Sequence, residues 1–290
     1  MSRALVVWLV LCLVWGSTWL FIKLGLADLP PFTFAGLRFG LAALPLAAFT
    51  ALRRPPFPTA PTDWALMLLT GVSTFTITYG LVFWAEQYIS SGLAALLFAT
   101  FPLFGLLIAH GQLPTERLTR RRLAGVVVGV AGVAVVFSNQ LAGTGPLAIG
   151  GSAAVVLSAA VAAYTDVVIK RRAGHLDPAV LTLVQMVAGA IPLLAIGISL
   201  EGSPFAFRWT PVGVLSLVYL AFVGSALAFV LLYWLIRHMQ VTHTMLITLV
   251  TPLVAVVLGM LVLREALTWR IAIGGLAILC GVALTAGVRR

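Results

Sequence analysis

Long apolar stretches follow one another along the whole chain, and only short polar linkers separate them. A helix needs about 20 predominantly apolar residues to cross the hydrocarbon core of a bilayer. The pattern therefore predicts an all-α integral membrane protein with ten transmembrane helices. The predicted spans lie at roughly 4–24, 32–52, 64–84, 91–111, 121–139, 148–169, 179–199, 211–235, 242–263 and 269–288.

Composition excludes a soluble protein, since 61% of the residues are hydrophobic and only 9% are charged. Soluble domains usually carry about 25% charged residues. Cys12 and Cys280 both fall inside apolar stretches, so no disulfide framework is expected. The net charge of +10 comes from short basic clusters between the spans, so it predicts membrane orientation rather than a nucleic-acid partner.

Basic residues fall unequally on the two predicted sides of the membrane. Because cytoplasmic loops carry an excess of Lys and Arg, the richer side is expected to face the cytoplasm. That side contains both termini, and the chain is therefore predicted to have its two ends in the cytoplasm. Thirteen of the 18 basic residues lie there, namely Arg3, Arg53, Arg54, Arg117, Arg120, Arg121, Arg122, Lys170, Arg171, Arg172, Arg237, Arg289 and Arg290.

The second half of the chain repeats the first at separations of 147 to 150 residues. The spacing predicts two units, 1–140 and 141–290, with five spans each. An odd number of spans per unit places the two copies upside down to one another. Inverted repeats are typical of alternating-access transporters, whose substrate site lies between the copies. The repeated pairs include Lys23 and Lys170, Pro31 and Pro178, Trp84 and Trp234, Pro102 and Pro252, and Glu116 and Glu265.

Several short motifs recur in a fixed order along the chain. They are Trp15-Gly16-Ser17, Pro31 followed by Leu37-Arg38-Phe39, Pro102 and Pro252, and the Glu116 and Glu265 loops before two glycine-rich spans. This order resembles the drug/metabolite transporter superfamily, in its ten-span EamA-type branch. Within that branch the chain is most similar to the YddG-type amino-acid exporters of bacterial inner membranes. The resemblance implies ten helices around one central cavity that exchanges between outward-open and inward-open states.

Polar and aromatic side chains inside the spans are the candidates for lining such a cavity, because polar groups in a membrane usually mark a functional site. Serine and threonine also bond the carbonyls of their own helix, and tryptophan also serves as a large packing residue, so a purely structural role stays open. The candidates are Trp15, Ser17, Thr18 and Trp19 in the first span, Thr74, Thr78 and Tyr79 in the third, Tyr164 in the sixth, and Thr244 and Thr248 in the ninth.

Arg38 is the one basic residue well inside a predicted span, and its repeat partner is Gln185. A buried cation must find carbonyls, an acid or water. We favour a structural role for Arg38 in joining neighbouring helices, with contact to a substrate carboxylate as the alternative. Pro102 and Pro252 are predicted as hinges or fixed kinks.

The spans contain few acidic residues, and none offers a convincing carboxylate at the bilayer midplane. Proton-driven carriers usually rely on such a group. Glu86, near the end of the third span, is expected at the surface. Asp166 precedes Lys170 by four residues, which predicts a local helical ion pair. We therefore expect a uniporter or an exchanger rather than a proton antiporter.

These observations lead to one functional hypothesis and one alternative. The hypothesis is a secondary transporter in the bacterial inner membrane that exports amino acids. Aromatic and other neutral amino acids are its first expected substrates. The alternative is efflux of drugs or purine-like metabolites. The sequence lacks the motifs of intramembrane proteases and the rings of repeated polar residues that line channels. We expect a monomer that binds a small molecule, with no enzyme activity, no cofactor and no metal.

Overall fold

The computed structural model describes residues 3–112, 119–141, 145–238 and 247–285, and these residues contain no strand. Within them, eight helical stretches are long and apolar enough to cross a membrane. Two shorter apolar helices, Ile247–Val262 and Trp269–Thr285, follow. The prediction of an all-helical membrane protein is thereby confirmed, whereas the count of ten spans stays a prediction.

We number the α-helices in chain order. They are α1 (Arg3–Gly25), α2 (Pro31–Arg53), α3 (Pro61–Gly71), α4 (Tyr79–Ala85), α5 (Ser91–Phe98), α6 (Phe101–Gln112), α7 (Arg120–Leu141), α8 (Gly145–Arg172), α9 (Pro178–Glu201), α10 (Pro211–Val218), α11 (Ala228–His238), α12 (Ile247–Leu263) and α13 (Trp269–Thr285). A short 3₁₀ turn spans Pro204–Ala206.

Proline fixes where four of these helices begin. Pro31, Pro61, Pro178 and Pro211 each occupy a first-turn position, where the missing N–H is not needed and the fixed φ angle suits the helix. Before Pro178, the carboxylate of Asp177 also accepts a hydrogen bond from the N–H of Ala179 at 2.9 Å. Local sequence signals thus account for the entry into these four helices.

Two π-helical segments interrupt long helices. The first, Val72–Thr78, joins α3 to α4, so that Pro61–Ala85 is one continuous helical stretch. The second, Tyr219–Leu227, joins α10 to α11. A π segment is wider than an α-helix, and such segments are frequent at functional sites. Side chains after each segment therefore point in directions that a regular period of 3.6 residues does not predict.

Close backbone contact joins α7 to α13. A Cβ atom added at Gly125 would lie 2.6 Å from the carbonyl oxygen of Gly281, and one at Gly132 would lie 2.6 Å from that of Gly274. The contacts run in opposite order along the two helices, so the helices are antiparallel. Small residues that permit such an approach are typical of helix packing in membranes.

The helices α2 and α9 form a second extensive pair, and they join a large apolar core. Phe34 and Phe39 from α2, Phe83 from α4, Leu193 from α9 and Leu220 from the second π segment are all fully buried in it. The core therefore draws on both sequence halves.

Candidate functional site

The stretch Pro61–Ala85 distinguishes two ends of the helical bundle. Its 25 residues correspond to a length of about 37 Å, comparable to a bilayer. Thr62 and Asp63 lie in its first turn, whereas Glu86 follows its last residue. We call the first the cavity end. We call the second the Lys23 end, because Lys23 of α1 donates a hydrogen bond to the carbonyl oxygen of Glu86.

A cavity of about 880 Å³ opens at the cavity end. The helices α3, α6 and α8 and the start of the first π segment form its walls. Several hydroxyl, amide and charged groups line it, and Tyr164 contributes an aromatic ring that is 51% exposed. The polar residues along the wall are Thr62, Asp63, Thr70, Ser73, Gln112, Tyr164, Thr165, Arg171 and Arg172.

Hydrogen bonds fix the deeper polar groups of the cavity. The Thr70 hydroxyl accepts a hydrogen bond from Nε2 of Gln185 at 2.8 Å and donates one to the carbonyl of Leu66 at 2.6 Å. Thr165 donates to the carbonyl of Val161 at 2.9 Å. Gln185 therefore joins α9 to α3 behind the cavity wall, a structural role for the predicted partner of Arg38.

Charged groups surround the mouth of the cavity. Oδ1 of Asp63 lies 3.1 Å from Nε2 of His175, and the two form an ion pair when the imidazole is protonated. Arg171 and Arg172 end α8 on the same side. The cavity thus combines an aromatic ring, hydroxyl groups and cations, which is chemistry for binding a small polar molecule.

The candidates of the first span lie away from this cavity. Trp15 packs edge to face on Phe229, with 6.4 Å between ring centroids. The Ser17 hydroxyl lies 2.6 Å from that of Tyr219. The structure therefore places these two side chains between α1 and the Tyr219–Phe229 region. Thr18 is buried and donates to the carbonyl of Trp15 at 2.7 Å, while Trp19 contacts Phe98 with 5.6 Å between centroids.

The candidates of the third span also lie off the cavity wall. The buried Thr78 hydroxyl faces the carbonyl of Ser73 at 3.2 Å, five residues earlier, and that of Ser158 on α8 at 3.4 Å. Tyr79 is partly buried against the apolar core, and Thr74 is half-buried. This stretch contributes residues 62–73 to the cavity wall, which lie nearer its first turn than Thr74, Thr78 and Tyr79 do.

Thr70 and Ser73 are two of the cavity residues that the sequence prediction missed. The others with polar side chains are Thr62, Asp63, Gln112, Thr165, Arg171 and Arg172. Thr70 and Ser73 are three residues apart, which is helical spacing, and they belong to the same polar run as Thr74. That spacing was the available signal. Of the predicted candidates, Tyr164 is the one on the cavity wall.

The remaining predicted residues are distributed over three places. Thr248 is half-buried on α12, and Thr244 falls outside the described residues. Pro102 lies at the start of α6, just after the turn that separates α5 from α6. Pro252 is buried within α12, which continues through it. The two prolines thus differ, since the helix is interrupted only beside Pro102.

Arg38 is buried and joins α2 to the second π segment. Its Nε donates to the hydroxyl of Ser225 at 3.2 Å. The guanidinium carbon lies 5.0 Å from the ring centroid of Phe39 and 5.3 Å from that of Tyr79, distances at which a cation is attracted to an aromatic face. These contacts support the structural role that the sequence favoured.

The Lys23 end is closed by contacts between distant parts of the chain. Lys23 also donates to the carbonyl of Ile89 at 2.8 Å. The carboxylate of Glu265 accepts hydrogen bonds from the N–H groups of Ser91 at 2.7 Å and Gly92 at 3.1 Å. A crevice beside Glu265 holds only about 10 Å³, close to the space of one water molecule.

The carboxylate of Glu201 closes the same end at a second point. It accepts hydrogen bonds from the N–H groups of Phe32 and Thr33, both at 2.8 Å, and from the Thr33 hydroxyl at 2.7 Å. It thereby satisfies the free N–H groups that begin α2, where a negative charge is also favourable.

Glu86 was expected at the surface, and this prediction is wrong, because its side chain has no exposed surface. A position near the end of a span implies that the side chain is exposed to solvent only if no other element covers that end. Here Lys23 of α1 reaches over the segment 86–90 and holds it against the bundle.

Comparison with known proteins places the chain among membrane transporters. A model of the EamA-like transporter family matches it twice, over residues 2–138 and 149–287. The "Uncharacterized inner membrane transporter YedA" of Escherichia coli is 31% identical to this chain, and the alignment covers 86% of this chain and 79% of that transporter. A "Probable amino-acid metabolite efflux pump" of Salmonella typhimurium is 30% identical to this chain, and the alignment covers 94% of this chain and 91% of that pump. A protein of known crystal structure superposes on this chain with a TM-score of 0.66 at 22% sequence identity. The superposition covers 98% of this chain and 96% of that protein, and it shows that the two share a fold.

Proposed function

Because this chain belongs to the EamA-like transporter family, we propose that it exports amino acids, with aromatic and other neutral ones first, by alternating access. The chain is a multi-pass membrane transporter rather than an enzyme. The proposal extends this to the substrate and to the mechanism. It also places the chain with the YddG-type exporters, as a monomer in a bacterial inner membrane.

The observation that carries the proposal is the contrast between the two ends of the bundle. A cavity of about 880 Å³ opens at one end, while Glu265 bonds to the start of α5 at the other. An alternating-access carrier opens its substrate site to one side at a time. A bundle with one open end and one closed end fits one state of that cycle.

The proposed architecture is ten spans in two inverted five-helix repeats, 1–140 and 141–290. Two facts support it. The family model matches twice, once in each half. The glycine contacts of the antiparallel pair α7 and α13 are reciprocal, since Gly125 meets Gly281 and Gly132 meets Gly274.

The proposed orientation has both termini in the cytoplasm. The basic run Lys170-Arg171-Arg172 ends α8 at the cavity end. Because basic residues favour the cytoplasmic side, the cavity would then open to the cytoplasm. An exporter collects its substrate from that side.

The chemistry of the cavity supports an amino-acid substrate. Hydroxyl groups of Thr70 and Ser73 suit the polar backbone of an amino acid, and Tyr164 offers a ring to an apolar or aromatic side chain. Arg171 and Arg172 at the mouth attract carboxylates. The Salmonella relative, by its name, moves amino-acid metabolites. Uniport or exchange is the proposed mode of transport.

The test is counterflow in proteoliposomes with the full chain. Labelled phenylalanine, leucine and alanine are expected to enter vesicles preloaded with the same unlabelled amino acid, with saturable rates. A drug and a nucleobase are included in the panel. Transport of those compounds without any amino acid would replace the proposal with drug or purine-like efflux.

Tyr164→Ala is expected to lower the efficiency of phenylalanine counterflow about tenfold, because it removes an aromatic contact worth about 1.4 kcal/mol. Phe205→Ala is the matched control. Phe205 is 99% exposed in the 3₁₀ turn Pro204–Ala206 and lies outside the cavity wall, so its removal is expected to leave the efficiency unchanged. Equal losses in both variants would remove Tyr164 from the proposed site.

A further inference from the structure

Glu86 presents a carboxylate that the contacts of the bundle leave unsatisfied. The side chain has no exposed surface, and neither carboxylate oxygen has a hydrogen-bond partner among the described residues. An ionised carboxylate that is buried without hydrogen bonds is strongly unfavourable, and such groups usually become neutral instead. A carboxyl group in this position is therefore a candidate for binding a proton.

Three charged groups act electrostatically on Glu86. They are Lys23 of α1, Arg38 of α2 and Glu265 of the segment before α13. The Lys23 ammonium bonds to backbone carbonyls, and Nε of Arg38 bonds to Ser225. Burial raises the pKa of Glu86 well above its usual range, and the Glu265 charge raises it further, while Lys23 and Arg38 oppose this in part.

We propose that Glu86 is a proton-binding site that takes up a proton as the Lys23 end closes and releases it as that end opens. The proposal rests on the proposed function, since it requires that the end opens during transport. It assigns a proton site to a residue that lies outside the cavity.

Closure and protonation are linked through the segment 86–90. Lys23 holds this segment through two carbonyls, and Glu265 holds the first N–H groups of α5 directly after it. Opening of this end separates these elements and admits water to Glu86. A hydrated carboxyl ionises near its ordinary pKa, so the proton leaves. A single linked proton changes the ratio of closed to open forms by at most about tenfold per pH unit.

The proton that Glu86 binds is released to the same side of the membrane from which it was taken up. The cavity wall consists of residues of α3, the first π segment, α6 and α8, and Glu86 is not part of it. Proton binding therefore tunes the closure of one end and supplies no energy for transport. This agrees with uniport or exchange as the mode of transport.

Cysteine labelling at Ser91 tests the proposal without any substrate. Ser91 is fully buried beside Glu265, so a thiol at this position reacts only when the end opens. The full chain carries Ser91→Cys, with Cys12 and Cys280 replaced by alanine. Labelling rates at pH 5.5 and 8 are divided by the rates for the unfolded protein, which removes the titration of the thiol itself.

Acid is expected to slow the normalised labelling by at least about fivefold between these two pH values, below the linkage limit of about tenfold per unit. Glu86→Gln, which mimics the protonated form, is expected to label slowly at both pH values. Glu86→Asp retains a titrating group and is expected to restore the pH dependence. Asp28→Asn removes a carboxylate that bonds Thr210 at the same end, and it is expected to keep the normal response.

The direction in which the labelling rate changes with pH distinguishes an effect of Glu86 from an effect of Glu265. Protonation of Glu265 would weaken its bonds to Ser91 and Gly92, so acid would then speed up labelling. That result, or an unchanged pH response in Glu86→Gln, overturns the proposal. A failed counterflow assay together with a Glu86-dependent labelling response would instead overturn only the proposed substrate.

Discussion

The two ends of the bundle use charged side chains in opposite ways. At the Lys23 end, Glu201 and Glu265 bond to backbone N–H groups that begin α2 and α5, helices far away in the sequence. At the cavity end, Arg171 and Arg172 extend along an open mouth. Charges thus close one end and leave the other accessible.

This difference indicates how such a bundle can alternate. A carboxylate that caps a helix forms short, directional bonds, and they are lost as a unit when the helix moves away. The closed end therefore depends in part on these directional bonds, beside the buried apolar residues Ile89, Leu93 and Ile271. A few local changes should then shift the balance between the ends, and the following predictions test this from the largest expected effect to the smallest.

Gly132→Leu should have the largest effect, because it disrupts the frame on which both ends depend. The added side chain would meet the backbone of α13 at Gly274. Overpacking of this kind destabilises a protein by about 3 kcal/mol. Thermal unfolding in detergent should show the loss. Gly40→Leu is the control, since a Cβ at Gly40 meets no atom within 4 Å and the change should leave stability unchanged or higher. Equal stability of the two variants would contradict close packing of α7 on α13.

Glu265→Ala should shift the bundle toward the form in which the Lys23 end is open. The variant removes two charge-assisted hydrogen bonds to the start of α5. Each such bond contributes about 1.5 kcal/mol or more, so the normalised labelling of Ser91→Cys should rise by more than about tenfold.

Glu265→Gln provides the matched control, because the amide oxygen can still accept one hydrogen bond. Its labelling rate should lie between those of the parent protein and of Glu265→Ala. If Glu265→Ala labels no faster than the parent protein, the end is held by other contacts.

The sequence predicted the framework of the bundle better than its site. Apolar stretches and the prolines before α2, α3, α9 and α10 mark helices whose formation depends on local residues. Tyr164 could be selected because its position aligns with Ser17 in the repeat. Both signals are readable without knowledge of any distant contact.

The burial of Glu86 could not be predicted in this way, because it depends on Lys23, which is 63 residues away along the chain. Helical periodicity also could not predict the direction in which the Thr78 side chain points. The π segment shifts its hydrogen bond to Ser73, five residues earlier. A helical period of 3.6 residues assumes a regular helix, so it fails where the helix widens.

Asp63→Asn should have the smallest effect, and it sharpens the difference between the ends. Asp63 lies 3.1 Å from the exposed His175 at the cavity mouth. Ion pairs with an exposed partner contribute up to about 1 kcal/mol, so the KM for phenylalanine counterflow should change by less than about fivefold. His175→Gln should produce a change of similar size, and the double variant should add nothing further. If Asp63→Asn alone raised the KM strongly, Asp63 would bind the ammonium group of the substrate directly. The mouth would then recognise charge as specifically as the closed end does.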